Sequence, residues 1–414
     1  MKIIYYTIIV SALFFGCDGN SASSADSDYL KLRPLTAKEQ SLIESNQQFG
    51  LNLLQAIATV DSTGNLFISP LSVSMALGMT LNGASGQTYI DMQNTLELAG
   101  LSETDINRAY KSTMDLLMSI DPDVITKIAN SIWVKEGFQV EDAFIDTNEF
   151  YFDAWIAERN FADPATLEEI NTWVADNTND KITEILDQIP AEAVMYLINA
   201  IYFKAIWEFE FDKNITAQAD FFITPDDITS VDMMGLTADL KYYEDNRIQI
   251  VDLPYGRGNY TMTVFLPKQG ENLNEFVVEL DGQQLEHWLA NLQLKSGTVF
   301  LPKLKTRYKL LMNNVLTQLG MGIAFTGLAD FSRINPVHDL FISRVIHEAF
   351  VQIDEEGTEA AAVTVVEVSL TSDSDGPNIE FSMYINRPYL FLIRERETGT
   401  ILFMGKIQEP VWED

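Results

Sequence analysis

Apolar positions in the first half of the chain recur at helical spacing. Between Gln40 and Ala58, Leu42, Phe49, Leu53, Leu54 and Ile57 fall on one face, which predicts an amphipathic helix. The next apolar run, Asn65-Leu-Phe-Ile-Ser-Pro-Leu-Ser-Val-Ser-Met-Ala-Leu, changes character at Pro70. It predicts a short buried strand, a turn, and a helix that Ser69 can cap. Further along, the apolar runs shorten and fill with β-branched and aromatic residues. Asn199-Ala-Ile-Tyr-Phe-Lys, Tyr260-Thr-Met-Thr-Val-Phe-Leu-Pro, Thr298-Val-Phe-Leu-Pro, Ala349-Phe-Val-Gln-Ile and Tyr389-Leu-Phe-Leu-Ile predict strands. Helices early and strands late point to an α+β fold rather than a repeating βαβ design. The sequence shows no internal repeat.

The N-terminus has a different pattern. Lys2 precedes an apolar run from Ile3 to Phe15, followed by Gly16-Cys17. That run is shorter than the roughly 20 residues a bilayer span needs and fits the apolar region of a signal peptide. A small residue before the chain's single cysteine resembles the site cut by bacterial lipoprotein signal peptidase. Phe14 stands where leucine is usual, with Leu13 one place further back. The reading is a signal over 1–16, with Cys17 acylated and the protein exported and membrane-tethered. The alternative is an ordinary secretory signal. Residues 17–35, rich in Ser, Asp and Ala, cannot bury apolar surface and read as a flexible tether, with a single domain over 36–414.

Composition then narrows the function. The chain has 414 residues, 47% of them hydrophobic, which is ample for a large core. With 27 basic and 60 acidic residues its net charge is −33, so it should repel nucleic acid and anionic membrane surfaces. With one cysteine, no disulfide can staple the domain within one chain.

Enzyme chemistry is nearly absent. His287, His338 and His347 lack partners at metal-ligand spacing, and His347-Glu348 has no second histidine for a zinc site. Gly83-Ala-Ser-Gly is not a nucleophile elbow, and Gly256-Arg-Gly lacks the third glycine of a dinucleotide loop. Ser69 or Ser72 with His347 could be drawn as a hydrolytic pair, but a satisfied buried cluster is the simpler reading. No cofactor or metal is expected.

One stretch resists an ordinary reading. From Gly357 the chain runs through Thr358-Glu-Ala-Ala-Ala-Val-Thr-Val-Val-Glu-Val-Ser-Leu-Thr371. Taken with period two, Thr358, Ala360, Ala362, Thr364, Val366, Val368 and Leu370 form one uncharged face. Glu359 and Glu367 both fall on the other. Gly357 would serve as a hinge through its conformational freedom. A strand with one small, uncharged face is fit to enter a sheet, yet it runs into Ser372-Asp-Ser-Asp-Gly-Pro-Asn378, which reads as an exposed loop.

At these residues the chain resembles the serpin family. The hinge pattern Glu355-x-Gly357-Thr358-Glu359-Ala360-Ala361-Ala362 matches closely. So do Asn65 to Ser72, Asn199 to Trp207, Leu301-Pro-Lys303, Ala329-Asp-Phe-Ser332, Asn386-Arg-Pro-Tyr-Leu-Phe391 and Leu402-Phe-Met-Gly-Lys406, in family order. The resemblance implies three β-sheets, about eight or nine helices and an exposed reactive loop. It implies a monomeric suicide substrate: a protease attacks the loop, forms a covalent acyl-enzyme and is carried across the body as the loop enters the main sheet. The insertable arm, Thr358 to Thr371, would reach about 45 Å as a strand. Distorting a protease's oxyanion hole over that distance costs about 10²–10³ in rate.

By the same resemblance, Ser69, Ser72, Asn199 and His347 form the polar cluster where the sheet parts. Trp207, Lys303 and Glu355 mark where insertion starts, with a Lys303–Glu355 ion pair expected. The scissile bond follows Thr371, before Ser372, or follows Leu370 if the loop is one residue shorter. Leu370 suits chymotrypsin- or subtilisin-like pockets and Thr371 an elastase-like one. Cysteine proteases stay open as targets. No Arg or Lys lies between Gly357 and Tyr384, which argues against trypsin-like ones. The basic run Lys303-Leu-Lys-Thr-Arg-Tyr-Lys309 reads as a neutralised face rather than a heparin site. The alternative function is a non-inhibitory binding or chaperone-like serpin.

Overall fold

The structure is a computed structural model that describes residues 32–337, 339–358 and 379–413. The readings at Cys17, His338, Glu359, Ala360, Ala361, Ala362, Leu370, Thr371 and Ser372 therefore lie outside the described residues.

Helix α1 (Ala37–Val60) leads to strand β1 (Leu66–Ile68) and helices α2 (Pro70–Leu81), α3 (Gly86–Thr95) and α4 (Glu103–Ser119). Strand β2 (Val124–Lys135), α5 (Asp142–Phe152), β3 (Trp155–Arg159), α6 (Pro164–Asn177) and β4 (Met195–Ile206) follow. Next come β5 (Ala217–Thr224), β6 (Asp227–Glu244), β7 (Ile248–Tyr255), β8 (Tyr260–Pro267), α7 (Leu273–Glu279) and α8 (Gly282–Ala290). The chain continues through β9 (Gln293–Pro302), β10 (Leu304–Leu311), α9 (Asn313–Leu316), β11 (Ile346–Ile353) and β12 (Gly357–Thr358). It closes with β13 (Phe381–Tyr384), β14 (Tyr389–Glu395) and β15 (Ile401–Ile407). Nine α-helices thus stand among the described residues.

Local chemistry explains the starts. Thr36 and Glu39 form a reciprocal capping box on α1. Ser69 accepts from the Ser72 amide at 3.2 Å, and Pro70 fills the first turn of α2, where its missing N–H is harmless. Strands β8, β14 and β15 are buried along their whole length, so they read as mainly apolar runs, with Thr261, Thr263, Arg394, Glu395 and Lys406 as buried polar exceptions.

Hydrogen bonding links the strands into two networks. One is six-stranded, in the order β10-β11-β12-β4-β2-β3. The other runs β1-β15-β14-β8-β7-β6-β9-β13, with β5 beside β6. The long strand β6 joins three neighbours: Asp227–Met233 pairs with β5, Met233–Tyr242 with β9, and its last residues, Lys241–Glu244, with β7. The larger network is continuous through β6, so the three sheets implied by the resemblance appear as two hydrogen-bonded networks among the described residues.

The six-stranded sheet lies between two apolar layers. Alternate residues of β4 face opposite ways. Phe203 and Ala205 join the main core with α2, while Ile198 joins a smaller cluster with Trp133, Ile170, Val174 and Leu186 beneath α6. The folded body begins earlier than the expected boundary at residue 36. Leu32 packs against the core and its amide donates to Glu397 at 3.1 Å. Arg33 pairs with the buried Glu39 and reaches Ser112 on α4, so residues 32–35 belong to the body.

Candidate functional site

The hinge enters the six-stranded sheet between β11 and β4. A tight turn reverses the chain after Ile353: Asp354 accepts from the amides of Glu356 at 3.0 Å and Gly357 at 3.3 Å. Thr358 then pairs with Ile353 on one side and Ala205 on the other, and Gly357 pairs with Ile206. Glycine at 357 has a different cause from the one expected. Its φ is not in the left-handed region; instead, a Cβ there would lie 2.1 Å from the Ala205 carbonyl oxygen. Close backbone approach excludes every side chain.

All three residues expected at the start of insertion meet here. Trp207 is buried, its indole N–H donates to the Asp354 carbonyl at 2.8 Å, and its amide donates to Glu356 at 2.9 Å. Lys303 pairs with Glu355 at 2.8 Å. Burial pushes the Glu355 carboxyl up, but Lys303 and the Thr216 hydroxyl, which donates to it at 2.9 Å, outweigh that and hold it below its ordinary value. Sequence reasoning missed several partners. Tyr255 stacks on Trp207 with ring centroids 4.3 Å apart and hydrogen-bonds the Thr358 hydroxyl. Lys213 pairs with Glu356. The Asp-x-x-Gly turn was readable in the sequence; Thr216 and Tyr255 carry no local signal.

Beyond Thr358 no described strand separates β11 from β4, and the two are not paired to each other. A cavity of about 490 Å³ lies there, lined by Ser72 and Leu77 of α2, Asn199 and Ile201 of β4, His347 of β11, and Phe341. Three of the four expected cluster residues meet. The Ser69 amide donates to His347 Nε2 at 3.1 Å, and Ser69 Oγ donates to the Leu402 carbonyl at 2.7 Å while accepting from Ser72. Asn199 is not joined to them. Its amide nitrogen donates to Asn130 Oδ1 at 2.8 Å, and its own Oδ1 is buried without a hydrogen-bond partner.

The cluster is not hydrolytic. Ser69 offers His347 its backbone N–H, not its hydroxyl, so no base activates a nucleophile. Burial lowers the His347 pKa to about 4, so the ring is neutral, and an accepting Nε2 places its proton on Nδ1.

The geometry is that of a sheet held at one end and parted in the middle. The sequence model described as "Serpin (serine protease inhibitor)" matches residues 44–410. The chain belongs to the serpin family. It is 31% identical to an uncharacterized serpin-like protein of Methanosarcina acetivorans over 429 aligned positions, covering 100% of this chain and 99% of that protein. It is 33% identical to human serpin B9, covering 90% of this chain and 100% of that one. The crystal structure of tengpin, a thermophilic serpin in its native state, superimposes with a TM-score of 0.81 at 32% identity, covering 92% of this serpin and 96% of tengpin. Serpins as a family are protease inhibitors rather than catalysts.

Proposed function

We propose that this serpin inhibits serine endopeptidases as a suicide substrate, by inserting its cleaved loop between β4 and β11. The observation that supports this is the register at the mouth. Thr358 stands opposite Ala205 and Ile353. Continued antiparallel without a bulge, that register sets Thr364 opposite both Asn199 and His347, and brings Val368 to Met195, the first residue of β4. Residues 358, 360, 362, 364, 366 and 368 then face the main core with Ala205. This is the uncharged face, and Glu359 and Glu367 turn toward the α6 side. The Thr364 hydroxyl would arrive beside the unpartnered Asn199 Oδ1, and the new strand would fill the cavity.

The chemistry is ordinary proteolysis, halted. The protease serine Oγ bonds to the carbonyl carbon of Thr371, or of Leu370. The peptide C–N bond breaks, the downstream amine leaves with a proton, and an ester joins the two proteins. Insertion carries that ester across the body before water reaches it. Elastase-, chymotrypsin- and subtilisin-like enzymes are the targets, and a cysteine thiolate would be trapped as the thioester. At the cell, a Cys17-linked lipid would hold the inhibitor at the membrane, the reading supported by the apolar run and Gly16-Cys17.

Incubation with a panel of such proteases and a denaturing gel tests this. Inhibition gives a denaturant-resistant complex, and mass spectrometry of the released peptide distinguishes Leu370 from Thr371. Cleavage with no complex would mean a non-inhibitory binding serpin. A Cys17→Ser chain found in the soluble fraction, where the parent chain is in the membrane fraction, supports the anchor.

A further inference from the structure

The segment after the last strand returns to the edge of the six-stranded sheet. The Lys305 amide donates to the Val411 carbonyl at 2.8 Å, and the Glu413 amide donates to the Lys305 carbonyl at 2.9 Å, so the segment pairs in parallel with β10. Glu413 also accepts from the Thr306 hydroxyl at 2.9 Å and the Arg307 amide at 3.1 Å. This clip places the Trp412 ring under two cations, with Lys303 Nζ 5.1 Å and Lys305 Nζ 5.9 Å from its centroid. Lys303 is the residue that grips Glu355 at the insertion mouth. Trp412 is 45% exposed, so its burial adds little to the core.

We propose that Trp412 is a positioning residue for the hinge. Lysine is a flexible stem bearing a point charge, and a half-buried one such as Lys303 still surrenders side-chain entropy to hold one geometry. The indole face, fixed by the backbone clip, limits where the ammonium can sit and keeps it aimed at Glu355. Glu355 lies within the Asp354-held turn that seats Gly357 and Thr358 between β11 and β4, so its tether to Lys303 restrains that turn. Removing the ring leaves Lys303 free to leave Glu355 and loosens the mouth. The native, uninserted state is then less tightly held. The proposal rests on the insertion reading for its functional meaning, but its physical content is the rigidity of the hinge.

Hydrogen exchange on the full, uncleaved chain tests that content without any protease. The reporters are the amides of Trp207 and Phe211, which donate to Glu356 and Glu355 across the mouth. Trp412→Ala should speed their exchange by about 2- to 5-fold, the range of an exposed cation–π contact. Trp412→Phe should restore most of the protection. Lys303→Gln should raise exchange at least as much, and adding Trp412→Ala to it should change nothing further. Unchanged exchange in Trp412→Ala would overturn the proposal. So would a double variant whose effect is the product of the two single ones, because Trp412 would then act independently of Lys303. Unaltered exchange in α1 shows that the variants fold. A chain that forms no protease complex yet shows this exchange pattern retains the hinge device and loses only the inhibitory reading.

Discussion

The two ends of the parted sheet differ in how completely their polar groups are satisfied. At the mouth, the Trp207 indole, Lys303, Glu355, Tyr255 and Thr358 all have partners, and Gly357 touches the β4 backbone. At the middle, Asn199 keeps a buried oxygen with no donor beside a cavity of about 490 Å³. Unfilled volume and an unpaired polar group both cost free energy. In the proposed mechanism the middle is therefore where insertion would gain stability, and the mouth is where its onset would be controlled. A sheet satisfied throughout would have nothing to gain from another strand; one loose throughout would take its own loop before any protease arrived.

The sharpest way to break this contrast is to block the mouth. Thr358 is 3% exposed between two strands, and Thr358→Arg would have to bury an unpaired charge there. We expect the yield of covalent complex to fall about 10²-fold, the loop being cut as a plain substrate; an unchanged yield on a denaturing gel would remove the mouth from the mechanism.

Acid acts on the middle. The His347 pKa is lowered by burial to about 4, below its unfolded value of 6.5. Between those values the unfolded chain binds a proton that the native chain does not, so stability falls as pH drops from about 6.5 to about 4. The loss is on the order of 3 kcal/mol, and His347→Gln should flatten it in urea titrations across that range.

Smaller effects separate the ends further. Gly357→Ala sets a methyl against the Ala205 carbonyl and should cost about 1–3 kcal/mol in the intact chain, measured by urea unfolding. Thr364→Val removes the hydroxyl that insertion brings to Asn199. It should cost about 1 kcal/mol in the cleaved chain and nothing in the intact one. Equal effects in both forms would place Thr364 elsewhere.

Much of this was legible from local pattern. The α1 stripe and the Ser69-Pro70 start of α2 each follow from residues near one another in sequence. Trp207, Lys303 and Glu355 were reachable through the resemblance. The remainder depends on chain segments meeting from far apart. Nothing near Asn199 says that it bonds Asn130 on β2 rather than His347. Gly357 reads as a hinge because the sequence cannot show how near β4 lies. Trp412 carries no local signal in the sequence; only the clip on β10 gives it a partner.

The claim that energy is stored in an unfilled sheet has one direct test: the melting temperature of the protein before and after a single cut between Leu370 and Ser372. If the arm enters between β4 and β11, the cut protein melts more than ~10 °C higher, despite having one peptide bond fewer. Equal or lower melting after the cut, with the arm still open to a second protease, would contradict the account.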